Sequence, residues 1–229
     1  MNSKNPVLKL MLMLLFSAAS NAYAQDYTVD YTFDRSGNSR VTQGRKYGLI
    51  DSNRKLIIPL IYDEIDDFSS GYARVVLAQK TGFVNKKGEP AIPCIYDTDE
   101  QGITGAVTSY VMNNETKITT IMVGSVGERR GFSEGLVCMV QNGKYGFIDK
   151  NNKTVIPFQF DGADNFYDSI AIVKQKDKYG AIDRNGRIVI PVIYELLVWD
   201  FSSNITALYT HKNGKVIYID KDQNEIKER

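Results

Sequence analysis

A phrase that returns at a fixed interval constrains this chain more than any other feature. Lys144-Tyr145-Gly146-Phe147-Ile148-Asp149 runs on to Val155-Ile156-Pro157, and the same phrase stands at Lys46 to Pro59 and at Lys178 to Pro191. A weaker copy, Lys80-Thr81-Gly82-Phe83-Val84-Asn85, leads to Ala91-Ile92-Pro93, and a half-copy from Lys215 to Ile226 follows the last full one. Gly48 and Gly82 are 34 residues apart, as are Gly146 and Gly180. From Gly82 to Gly146 the gap is 64, so the second copy carries 30 extra residues, placed between Asp97 and Phe132. A unit of this length cannot bury its apolar face alone and must stack on its neighbours, so the chain is a repeat array.

Each unit reads as three short strands. An aromatic and aliphatic run ends at Ile50, Val84, Ile148 or Ile182, and Asp51, Asn85, Asp149 or Asp183 then opens a turn. Three positions on stand Gly88, Asn152 and Gly186, with Arg54 as the exception. An Asx side chain bonds its own turn, and Gly or Asn tolerates the left-handed backbone that closes it. A second strand rich in Ile and Val follows, and Pro is expected to end it, because Pro cannot donate to a ladder. After it come Tyr62-Asp63, Tyr96-Asp97, Phe160-Asp161 and Tyr194-Glu195, then a loop to Phe68, Phe132, Phe166 or Phe201 and a third strand. Asn142-Gly143 and Asn213-Gly214 carry that strand into the next unit, Asn-Gly being a strong hairpin signal. No stretch beyond the N-terminal segment has a helical period. Asp34-Arg35-Ser36-Gly37 looks like the same turn once more, and the end units read as caps.

The lysine-aromatic-glycine start, the Ile-Asp turn, the Val-Ile-Pro strand end and the Tyr-Asp after it resemble bacterial WG repeats of the KWG type. The resemblance covers roughly residues 45 to 226. It departs from the pattern at the tryptophan, which is Tyr47, Thr81, Tyr145 and Tyr179 here. The resemblance implies β-rich arrays, no established chemistry, and a role in binding or scaffolding. The expected fold is therefore all-β. It is an array of about four three-stranded antiparallel repeats, either a β-meander solenoid or curled toward a propeller-like closure, with an inserted hairpin in repeat 2.

The first 24 residues read as a secretory signal peptide: Lys4 and Lys9, a short apolar core from Leu10 to Phe16, and Ala22-Tyr23-Ala24 before Gln25. The apolar run is too short to span a bilayer, which takes about 20 residues. The expected organisation is residues 1–24 as signal peptide, 25–45 as N-terminal cap, 46–226 as repeat domain with its insertion at 98–131, and 227–229 as tail. Export to the periplasm or the extracellular space follows, with a mature chain that does not span the membrane. Removing Lys4 and Lys9 from the 28 basic residues leaves 26 against 27 acidic, a net charge of −1. That balance, with the signs interspersed, argues against nucleic acid as partner.

Chemistry is scarce. The single His, His211, precedes the Asn213-Gly214 turn, and neither a triad nor a zinc ligand set can be assembled around it. No phosphate-binding glycine loop is present, so neither cofactor nor metal is expected. The acids Asp63, Asp97, Asp161 and Glu195 recur once per unit, and a group repeated by the fold reads as serving the fold, as a turn cap or a partner of the recurring Lys. Cys94 and Cys138 flank the insertion, which leaves a disulfide and two buried thiols both open. Trp199 reads as a packing group.

What breaks the period is the insertion. Gly105 to Met112 and Ile118 to Val123 flank Asn113-Asn114-Glu115-Thr116-Lys117 as an extra hairpin, and insertions in repeat proteins often form the binding face. Tyr110, Glu128, Arg129 and Arg130 are its candidate contact residues. The function expected from all this is a non-enzymatic protein-interaction or scaffold module in the bacterial envelope or outside the cell, with an envelope or extracellular protein as partner. A carbohydrate-binding module is the alternative, because 14 Tyr are available to stack on sugars.

Overall fold

The recurring turn sets the length of every strand pair. In a computed structural model that describes residues 27–32, 38–99, 131–195, 197–200, 207–212, 215–220 and 224–226, Asp51 Oδ1 accepts from the backbone N–H groups of Asn53 at 2.9 Å and Lys55 at 2.8 Å. Asn85, Asp149 and Asp183 each repeat this bonding one unit further on. The turn's last residue is left-handed every time, at φ 60° for Arg54, 77° for Gly88, 61° for Asn152 and 80° for Gly186. Arg54 is held there by the same Asx bonds, although it lacks the freedom of Gly.

The described residues are all-β, with no helix. β1 (Thr28–Thr32) and β2 (Ser39–Gln43) precede repeat 1, which comprises β3 (Lys46–Ile50), β4 (Leu56–Tyr62), β5 (Glu64–Ile65) and β6 (Tyr72–Leu77). Repeat 2 has β7 (Lys80–Asn85), β8 (Pro90–Asp97) and β9 (Leu136–Gln141). Repeat 3 has β10 (Lys144–Asp149), β11 (Thr154–Phe160), β12 (Gly162–Ala163) and β13 (Ile170–Gln175). Repeat 4 has β14 (Lys178–Asp183), β15 (Ile188–Tyr194), β16 (Leu197–Asp200) and β17 (Ala207–Lys212), and β18 (Lys215–Ile219) and β19 (Glu225–Ile226) form the half-copy. The Asp34–Gly37 turn, Asn213-Gly214 and residues 1–26 lie outside the described residues. Among those described, no helix is long and apolar enough to cross a membrane.

The chain divides into two compact units, residues 1–95 and 96–229. In the first, β1-β2-β3-β4 form one antiparallel sheet, and β5, β6, β7 and β8 follow in order in the next. The second unit holds β9-β10-β11, then β12-β13-β14-β15 and β16-β17-β18-β19. Sheets are thus offset from the sequence repeat, because each takes its last two strands from the following copy. The break falls at the acid after Tyr62, Phe160 and Tyr194. A two-residue strand that no periodicity can register, β5 or β12, opens the new sheet.

Central strands are buried on both faces because sheets pack on sheets. Leu49, Ile58 and Tyr62 meet Ile65, Ala73, Val75 and Val84 in the first unit. Phe147, Ile156 and Phe160 meet Ala163, Phe166, Val173 and Ile182 in the second, where the rings of Phe147 and Phe166 lie 4.8 Å apart. Burying a side chain such as Phe147 contributes about 1.5–3 kcal/mol. This two-sided burial explains why the first strand of each unit reads as an apolar run and not as an alternation.

The repeated glycine answers to the proline strand opposite it. Tyr145 faces Phe160 and Phe147 faces Ile156, so β10 advances two residues while β11 advances four. The extra residues, around Pro157, form a bulge over Gly146, where a Cβ would sit 2.8 Å from Ile156 O and 2.9 Å from Phe158 Cα. Gly48, Gly82 and Gly180 are covered in the same way, with Cβ positions 2.6–2.7 Å from the carbonyls of Ile58, Ile92 and Ile190. Only Gly allows this approach, and the bulge accommodates the proline, so the second strand does not end at Pro as expected but runs on through Pro59 to Tyr62, Pro157 to Phe160 and Pro191 to Tyr194.

Hairpins between units turn in two residues, both left-handed: Ala78 and Gln79 at φ 51° and 60°, Asn142 and Gly143 at 53° and 70°, Lys176 and Asp177 at 49° and 61°. Asn-Gly suits this type I′ turn, whereas Ala-Gln is strained in it. Replacing Ala78-Gln79 with Asn-Gly is expected to stabilise the protein by about 1 kcal/mol, raising the melting midpoint by about 2–4 °C. An unchanged or lower midpoint would contradict the turn assignment.

The recurring acids staple these turns. Asp63 accepts from Lys46 Nζ at 2.6 Å and from the Ala78 N–H at 2.8 Å. Asp161 accepts from Lys144 Nζ and from the Lys176 N–H at 2.8 Å. Asp97 accepts from the Gly143 N–H at 3.2 Å, and Lys178 lies 3.7 Å from Glu195. Hydrogen bonds from Lys46 and Lys144, joined by those backbone donors, hold Asp63 and Asp161 below the usual carboxylate range. At Asp149 and Asp183 burial opposes the charge, but the N–H groups of the turn outweigh it and the carboxyls are again lowered.

A carboxyl whose folded pKa is depressed contributes stability that is present above its unfolded pKa and lost as pH falls through the folded value. Thermal melts are therefore expected to be level above about pH 5 and to fall progressively below about pH 4. The Asp63→Asn plus Asp161→Asn variant should show a shallower acid limb, and an acid limb as steep as the parent's would contradict the assignment.

Candidate functional site: the roots of the insertion

Tyr110, Glu128, Arg129 and Arg130 lie outside the described residues, together with the rest of 100–130. The described residues do fix both roots of the insertion. It leaves the array at Asp97-Thr98-Asp99, where repeats 1 and 3 place β5 and β12, and it returns at Gly131 and Phe132. Asp97 is tied by its pairing with Val140 and by the Gly143 N–H.

Asp99 Oδ1 accepts a hydrogen bond from the Tyr145 hydroxyl at 2.8 Å. Burial, then the Asp99 carboxylate, raises the Tyr145 phenol far above its ordinary pKa, so it remains a neutral donor. On the returning side, Asn165 Nδ2 donates to the Gly131 carbonyl at 2.9 Å, while its Oδ1 accepts from the Cys138 N–H at 3.0 Å. Asn165 is only 9% exposed, so these bonds are made away from solvent. Two residues further on, the Ser133 hydroxyl donates to Phe166 O at 2.6 Å. The Ser169 N–H bonds Glu134 Oε1 at 3.0 Å, and Arg184 Nη2 bonds the Glu134 carbonyl at 2.6 Å.

The two thiols are not bridged. Cys94 Sγ lies 4.0 Å from Val75 O, and Cys138 Sγ lies 3.6 Å from Ala163 O, each as a donor within its own compact unit. Burial pushes the Cys94 thiol up to about 12, against the pull of Arg74 and with that of Asp63. Burial also raises Cys138, reinforced by the charges of Asp99 and Asp164. Both thiols are packed, and burial disfavours the thiolate that would be the nucleophile.

Trp199 sits in β16 opposite Leu208, and His211 in β17 opposite Val216. Thr81 stands where the other copies have tyrosine; it is buried, and among the described residues its Oγ1 has no hydrogen-bond partner. The described residues contain no cluster of three or more metal-ligating side chains. Sequence reasoning did not find Tyr145 and Asn165. A signal for Asn165 existed: before the recurring Phe, repeats 1 and 4 carry the acids Asp67 and Asp200, and repeat 3 alone carries an amide.

The profile of the family described as WG containing repeat matches residues 47–80, 82–98, 145–179 and 179–215. No curated protein matches the chain. Among solved structures the chain is similar to Hsv2p of Kluyveromyces lactis, at 9% identity and a TM-score of 0.41. That likeness covers 88% of this chain and 62% of that one. With the profile spanning more than half of its length, and with four copies of the same glycine-over-bulge unit, the chain belongs to the WG-repeat family.

Proposed function

We propose that this chain is an exported, non-enzymatic interaction module of the bacterial envelope or extracellular space, and that the insertion of repeat 2 is its contact with a protein partner. The observation that carries the reading is the pair of anchored roots at Asp99 and Gly131. An excursion without a role has no need of dedicated partners on a neighbouring repeat. Elsewhere the chemistry serves the scaffold: Asp63, Asp97 and Asp161 bond turn amides, and Asp63 and Asp161 also bond the repeat lysines. The tyrosines Tyr62, Tyr96 and Tyr145 are buried within the repeats, which weighs against sugar stacking at those positions. The leader pattern of residues 1–24 supports export. Tyr110, Glu128, Arg129 and Arg130 are the contact residues of this proposal.

The test is crosslinking in the native envelope with tagged full-length protein, followed by mass spectrometry of the captured material. One dominant protein partner, absent when residues 101–129 are deleted, is the expected result. Retention on envelope polysaccharide without a protein partner would overturn the proposal in favour of carbohydrate binding.

A further inference from the structure

Tyrosine fills the repeat's aromatic position in three of the copies, but its surroundings differ in one of them. Arg40 lies 5.8 Å over the Tyr47 ring, and Lys174 lies 5.7 Å over the Tyr179 ring. Tyr145 faces Val140 on the neighbouring strand, and its hydroxyl is given to a carboxylate, Asp99, at the outgoing root of the insertion. Asn165 is the second departure. Its Nδ2 supplies the donor for the Gly131 carbonyl at the returning root, which an ionised acid such as Asp67 or Asp200 cannot do. Both departures fall in repeat 3, and both are directed at the roots of the insertion in repeat 2.

We infer that Tyr145 and Asn165 act together as positioning residues that clamp the two roots of the insertion, so that repeat 3 sets how repeat 2 presents it. The inference rests on the reading of the insertion as the contact region. Clamping both roots lowers the entropy that a partner must remove on binding, which is the physical use of preorganisation. A phenol donating to a carboxylate is a charge-assisted bond and stronger than a neutral one. Asn165 adds a bond made at low exposure, where the competing water is excluded.

The test is limited trypsin digestion of the folded full-length chain, scored at Arg129 and Arg130, with hydrogen exchange at residues 98, 99, 131 and 132 as a second reading. Three variants are compared. Tyr145→Phe keeps the ring and removes the hydroxyl; Asn165→Asp installs the residue type of repeats 1 and 4; Tyr179→Phe alters the equivalent ring that holds no root. Cleavage is expected to rise on the order of tenfold in Tyr145→Phe and Asn165→Asp. It should not change in Tyr179→Phe, and melting midpoints should stay within about 4 °C of the parent.

Parent-like cleavage in the first two variants overturns the clamp. Acceleration matched in Tyr179→Phe, or acceleration that simply follows a lowered midpoint, overturns it as well. The digestion involves no partner, so a failed clamp leaves the captured partner standing, and a failed capture leaves the digestion result standing.

Discussion

Gly146→Val is expected to cost about 3 kcal/mol and to lower the melting midpoint by about 6–12 °C. The first carbon of any side chain would lie 2.8 Å from the Ile156 carbonyl and 2.9 Å from the backbone of Phe158. Those neighbours are backbone atoms of the bulge, not flexible chain ends, so relief requires the strand to move. Moving it disturbs Ile156 and Phe160, which form the core with Phe147 and Phe166. The valine branch adds to the conflict where Ala would bring one carbon. Gly180→Val should behave alike, since its Cβ position is 2.6 Å from Ile190 O. A midpoint unchanged in both variants would contradict the arrangement of bulge over glycine.

Removing the two acids around Arg74 is expected to cost about 3–5 kcal/mol, because it leaves an uncompensated charge in the interior. The Arg74 side chain is 5% exposed and is held by Glu64 at 3.1 Å and Asp66 at 3.1 Å, whose side chains are 53% and 34% exposed. That asymmetry decides the prediction. In Glu64→Ala plus Asp66→Ala the guanidinium stays buried without a counter-charge. In Arg74→Ile the abandoned carboxylates still reach water, and repeat 3 already carries Ile172 at the same place, opposite Ala181 as Arg74 is opposite Phe83. Urea unfolding should therefore show a large loss for the double acid variant and a small one for Arg74→Ile. Equal losses would mean that the guanidinium, once unpaired, reaches solvent.

The turns, strands and glycines were legible because their causes are local. An Asx residue bonds amides two and four positions on, so Asp51, Asn85, Asp149 and Asp183 announce their turns within five residues. The spacing of Gly and Pro likewise reports a single bulge. What stayed hidden depends on distant pairing. β5 and β12 are two residues long and carry no period, so three strands were expected in units where the structure has four. The recurring acids were expected as turn caps or lysine partners. Asp63 and Asp161 are both, but the turn that Asp63 caps lies 15 residues away, which only the folded sheet reveals. The Cys pair stood on either side of the insertion in sequence, yet each thiol packs against its own carbonyl, Val75 O or Ala163 O. At the candidate site, the jump in repeat spacing exposed the insertion itself. The clamp at its base was not visible, because Tyr145 reads as an ordinary copy of the repeat aromatic until its hydroxyl is placed beside Asp99.

The central claim is a division of labour: the repeats make the fold, and the insertion is carried by it. Far-ultraviolet circular dichroism of the protein with residues 101–129 replaced by a short Gly-Ser linker tests this most directly. The account predicts a retained β-sheet spectrum with a cooperative melt, since described residues of the repeats pair into the sheets and pack the cores named above. Loss of the β-sheet signal would contradict it and would make the insertion part of the core.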